Sequence, residues 1–151
     1  MKTMKLVALC IVVLSLFACT HSVPIPPTNP DQDNLSNNRA LWESSHLSTY
    51  TYTYTYTNKR ECLCTPVEDL LITVNNGQVT SNADTSPAPE ISNQLMTVEE
   101  LFQVIEQAIS DQVDRLDVIY NPTLGYPERI TIDVDERMVD EELIHIVKDL
   151  H

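Results

Sequence analysis

Few side chains in this sequence could do chemistry, and their spacing limits what each could do. Four cysteines, four histidines and 22 acidic residues are spread over 151 positions. Cys62 and Cys64 stand two apart and are read as a structural disulfide, in preference to a redox couple, free thiols or metal ligands. Two residues along a strand span about 6.6 Å, near the upper limit for a disulfide. A Cys62–Cys64 bond therefore needs a bulge or a strand end, and Pro66 just beyond supplies an end. The spacing differs from the C-x-x-C pairs of zinc ribbons and thioredoxin-like motifs. Hydrolysis through a Ser or Cys nucleophile needs a nearby histidine. His21 falls in a proline-rich stretch, His151 closes the sequence, and His46 and His145 sit in no recognisable motif. Acidic residues crowd Asp133 to Glu142, but without the central glycine and terminal glutamate of an EF-hand loop they read as a solvated turn. No catalytic residue, metal site or cofactor is expected, and the chain is read as non-enzymatic.

A binding chemistry is easier to find. Thr49 to Thr57 alternates threonine with Tyr50, Tyr52, Tyr54 and Tyr56, which puts four rings on one face of a strand. An aromatic row can be a platform for sugars, peptides or bases. It can equally be a core face. The chain has two phenylalanines, one of them in the apolar leader, so few other large side chains could fill a sheet–helix interface. The core reading is preferred, and the four tyrosines are kept as an alternative binding face.

The elements that position these residues follow from periodicity. Ser36 can cap a short helix through Ala40, Leu41 and Trp42, ending near His46. Leu70 to Thr80 reads as a hairpin turning at Asn76-Gly77, where a type I′ turn needs positive φ. Ser81 to Met96, with Pro87 and Pro89, reads as a long loop. Thr97-Val98-Glu99-Glu100 is a capping box, followed by Val98, Leu101, Phe102, Ile105, Ala108 and Ile109 on one helical face, with Glu99, Gln103 and Glu106 facing solvent. Leu116, Val118 and Tyr120, then Ile130, Ile132 and Val134, alternate as a second hairpin, for which Tyr120, Gly125, Tyr126 and Pro127 are the fold determinants. In residues 143 to 150, Leu143, Val147 and Leu150 suit a helix while Ile144 and Ile146 around His145 suit a strand, and the strand is chosen. The expected fold is α+β: an antiparallel sheet with two helices on one face, in the order α-β-β-β-α-β-β-β, as a single domain over residues 36–151.

The leader carries Lys2 and Lys5, an apolar run from Leu6 to Phe17, and Ala18 before Cys19, the anatomy of a secretory signal. The run is shorter than the about 20 residues that span a bilayer. Leu16-Phe17-Ala18-Cys19 resembles the lipobox of bacterial lipoproteins, with Phe17 departing from the usual small or β-branched residue. The resemblance implies a signal peptide over residues 1–18, cleavage before Cys19, and acylation of its thiol and amine with palmitate-type chains. It also implies a protein anchored in the bacterial cell envelope, with Thr20 pointing to the outer membrane on the periplasmic side. Residues 19–35, with Pro24, Pro26, Pro27 and Pro30, read as a tether able to hold the domain roughly 50 Å from the lipid. Cleavage would remove two lysines and no acids, taking the formal charge from −13 to −15. Such a surface repels phosphate backbones, so nucleic acid is not an expected partner. The expected partners are the membrane, through Cys19, and an envelope protein.

Trp42, the tyrosine-rich strand, Cys62-Leu63-Cys64, the Asn76-Gly77 turn, Phe102 and the stretch from Tyr120 to Asp133 together resemble a family of bacterial lipoproteins, domain of unknown function 6174. Asn121 stands where that family commonly has Asp. The resemblance covers nearly all of the chain from Trp42 and implies fold and localisation; no activity comes with it. The expected role is binding of a protein or envelope component. The alternative is a small inhibitor or chaperone-like module that presents its sheet to a partner.

Overall fold

The computed structural model describes residues 29–58, 67–82, 94–138 and 141–151. Cys19, Cys62 and Cys64, the signal segment and the two prolines of the 81–96 loop lie outside the described residues. Eight elements follow in the expected order. Helix α1 (Pro30–Ser44) starts six residues before Ser36, because Asn29-Pro30-Asp31 is itself a start signal. The Asn29 side chain accepts from the Asp31 amide, and Pro30, which has no N–H to waste, takes a first-turn position. The segment read as tether is thus helical from Pro30, and its Leu35 is core at 1% exposure.

Strand β1 (Thr49–Asn58) pairs with β2 (Val67–Asn75), which turns through Asn76 and Gly77 at φ 49° and 76° into β3 (Gln78–Ser81). Helix α2 (Val98–Asp111) carries both bonds of its capping box: the Glu100 amide donates to the Thr97 hydroxyl, and the Thr97 amide to the Glu100 carboxylate. It ends where Gln112 turns left-handed. Strands β4 (Arg115–Tyr120), β5 (Pro127–Asp133) and β6 (Glu142–Lys148) complete a six-stranded antiparallel sheet of order β3-β2-β1-β6-β5-β4. β5 begins at Pro127 and stops at Asp133. Val134, read as part of that strand, lies beyond it and is exposed.

The sheet is therefore two three-stranded meanders joined along β1 and β6. In that seam Tyr56 faces His145 and Thr55 faces Ile146, and beyond it Thr51 and His151 exchange both backbone hydrogen bonds. Both helices lie on the tyrosine side. Trp42 of α1 meets Tyr50 edge-on at 5.1 Å, and Phe102 of α2 stacks on Tyr120 at 6.3 Å. Residues 121–126 pass beneath α1. There Gly125, at φ 78°, is so close that an added Cβ would fall on the Asn38 carbonyl oxygen and 2.9 Å from the Leu41 Cβ. Only glycine fits both that dihedral and that gap.

Candidate functional site

Strict alternation sends the β1 tyrosines under the helices and the threonines to the other side. Tyr50, Tyr52 and Tyr54 are 3%, 0% and 0% exposed, and Tyr56 is half-buried. Each of the three buried hydroxyls has a partner, as a buried polar group requires. Tyr50 donates to Glu99 at 3.0 Å and accepts from the Val98 amide. Tyr52 donates to the Met96 carbonyl, and Tyr54 lies 2.7 Å from Nδ1 of His145. The second Glu99 oxygen accepts from Trp42 Nε1 at 2.9 Å, so one carboxylate ties α1 and β1 to the first turn of α2. Burial pushes the Tyr50, Tyr52 and Tyr54 hydroxyls well above their ordinary range and that of Tyr120 up to about 12. The tyrosine row is a core face: its rings meet helices and one another, and three of the four residues kept as an alternative binding face present no surface to a ligand.

The hairpin residues are structural in the same way. Tyr126 meets Trp42 edge-on at 6.3 Å, Pro127 is fully buried, and Gly125 makes room for α1. Asn121, which stands where the resemblance led one to expect Asp, accepts from the Thr123 and Leu124 amides and donates to Glu128, which fixes the turn. An aspartate could make the first two of these bonds.

Two features escaped the sequence reading. Glu99 was placed on the solvent side, yet it bonds two aromatic side chains. His145, without a motif, is 2% exposed beside Tyr54 and Tyr56, and burial pulls its pKa down to about 4. Alternation along β6 puts His145 in phase with Leu143 and Val147 and could have signalled its burial. The hydroxyl–imidazole pair has a distance suited to proton exchange, but both side chains lie inside the core.

The opposite sheet face has a different character. Its centre carries Thr53, Thr55 and Thr57 of β1 beside Ile144 and Ile146 of β6, all half-buried. Toward the β4 edge a depression of about 460 Å³ is lined by Arg115, Asp117, Ile119, Arg129, Glu142 and Ile144 among others. Ile119 there is 56% exposed, and Leu71 on β2 is 41% exposed. Charge is unevenly divided between the two sides. The helices hold Asp31, Asp33, Glu43, Glu99, Glu100, Glu106 and Asp111 against Arg39 alone. On the open face of β4, β5 and β6, Arg115, Arg129 and Lys148 balance Asp117, Asp133 and Glu142. Among the described residues no three His, Cys, Asp or Glu side chains converge as a metal site, and no described helix is long and apolar enough to cross a membrane.

A family model, described as a family of unknown function (DUF6174), matches residues 34–151, from the second turn of α1 through His151. No curated protein and no solved structure matches the chain.

Proposed function

The chain belongs to the DUF6174 family of unknown function, and we propose that it is a lipid-anchored envelope protein whose folded domain binds a protein partner through the open face of its sheet. The observation that carries this reading is the division between the two sheet faces. One is sealed by helices and aromatic packing. The other combines exposed Ile119 and Leu71 with a threonine–isoleucine centre and balanced charge, on a molecule with a formal charge of −13. A low-charge centre with apolar and β-branched side chains is what a protein interface asks of a surface. Binding without chemistry is favoured because the Tyr54–His145 hydroxyl–imidazole pair is enclosed, and at the exposed Thr51–His151 pair the other ring nitrogen of His151 is taken by the Asp149 carbonyl rather than by an orienting carboxylate. The anchor rests on the Leu16-Phe17-Ala18-Cys19 motif, and the small inhibitor or chaperone-like module remains the second reading, since it would use the same face.

Two experiments test the two halves of the proposal. Metabolic labelling with palmitate should mark the wild-type chain and not Cys19→Ala, which should leave the membrane fraction; a labelled Cys19→Ala would overturn the anchor. For the face, a photo-crosslinking residue at Ile119 or Thr55 should give a discrete adduct in intact cells, and one at Gln103 on α2 should not. Adducts from Gln103 alone would move the binding surface to the helices.

A further inference from the structure

Histidines meet the seam between the two meanders on both faces of the sheet. On the buried side, His145 of β6 shares a proton with Tyr54 of β1 through Nδ1 at 2.7 Å, and Tyr56 lies 5.0 Å from its ring. Its Nε2 is buried without a hydrogen-bond partner. On the open side, His151 Nε2 lies 2.9 Å from the Thr51 hydroxyl. These contacts link residues 91 and 100 positions apart, and among the described residues β1·β6 is the only strand pairing between the meanders. A neutral imidazole fits the buried site because Nδ1 can accept from Tyr54. A second proton could keep the contact, since the Tyr54 hydroxyl can turn and accept from Nδ1, but it would place a charge where nothing compensates it, with Nε2 still unpartnered. The titratable groups facing His145 on β1 are Tyr54 and Tyr56. On β5 its register partner is the apolar Ile130, with Glu128 two residues away and bonded to Asn121. On α2, Glu100, the carboxylate nearest this end of the tyrosine row by its influence on Tyr54, is held by the Thr97 amide. Among the described residues no carboxylate pairs with His145.

We infer that the β1–β6 seam is an acid-operated hinge, in which protonation of His145 puts an uncompensated charge between the strands and frees the β4-β5-β6 meander from the β1-β2-β3 meander. The sign follows from linkage. His145 is held near 4 in the folded chain against 6.5 when exposed, so the opened or unfolded state binds the proton more readily. The part of the seam's stability that depends on a neutral His145 is present above pH 6.5 and declines as pH falls from 6.5 toward 4. A shift of that size multiplies the open-to-closed ratio by roughly two orders of magnitude over the interval. The hinge does not depend on where the chain is anchored or what it binds.

Hydrogen exchange on the full chain at stepped pH, corrected for intrinsic exchange rates, reads the seam directly. The expected result is loss of β1 and β6 amide protection between pH 6.5 and 4 in the wild type, and its retention in His145→Gln, whose amide oxygen can accept from Tyr54 but does not titrate. Equal loss in both chains would assign acid opening to carboxylates and overturn the inference. Should His145→Gln fail to fold, the imidazole resonances of the wild-type chain decide. Titration of His145 in step with seam opening supports the hinge, and titration near pH 6.5 with the seam intact rejects it.

Discussion

Gly125 and Gly77 have nearly the same φ, 78° and 76°, but very different surroundings. A Cβ at Gly77 would meet nothing within 4 Å, whereas at Gly125 it would meet the backbone of α1. Gly77→Ala should therefore cost only the left-handed dihedral, about 1 kcal/mol. Gly125→Ala adds overpacking against a helix and should cost about 2–4 kcal/mol. Urea midpoints of the two variants check the difference, and equal costs would contradict the close approach. The tyrosines give a second residue-scale expectation. Burial raises the hydroxyls of Tyr50, Tyr52, Tyr54, Tyr120 and Tyr126 above their unfolded value of 10. The unfolded chain loses these protons first, so this part of the stability is whole below pH 10 and declines as pH rises beyond it. Tyrosinate absorbance should stay low past pH 10 and then rise steeply as the fold gives way; a gradual rise centred on pH 10 would contradict the buried row.

At the scale of elements, α2 is the best-specified part of the molecule. Its capping box, apolar face and left-handed stop all agree, and both reciprocal cap bonds form. Thr97→Ala should cost about 1 kcal/mol, read from a thermal or urea transition. α1 is specified differently: Leu35 and Trp42 are its only buried residues, so two anchors hold 15 residues. That explains why its start was harder to place from sequence. The prolines up to Pro30 suggest a linker, and only the Asn29-Pro30-Asp31 cap marks where the linker stops. Strand signals were more legible, since tyrosine–threonine alternation and the Asn76-Gly77 turn are local. The role of Glu99 was not, because its partners lie 57 and 49 residues away and no periodicity encodes such a contact.

For the whole molecule, the order of elements was readable and the order of strands in space was not. Placing β6 against β1 depends on closing the chain over nearly its full folded length, and hairpin signals describe only neighbours. This topology also sets a folding rate. With the central seam made of its most distant residues, refolding followed by Trp42 fluorescence should fall in the milliseconds-to-seconds range of non-local β proteins. A microsecond phase carrying the full amplitude would mean that the helices alone quench Trp42, before the seam forms.

The seam matters also while the chain is being made. Strand β1 leaves the ribosome with three rings that the finished protein keeps almost dry, and the strand that completes its pairing, β6, follows the other described elements. Until β6 has emerged the nascent chain lacks one flank of its central strand and cannot settle into its final form. Any cellular handling that requires an unfolded polypeptide has until the emergence of β6 in which to act.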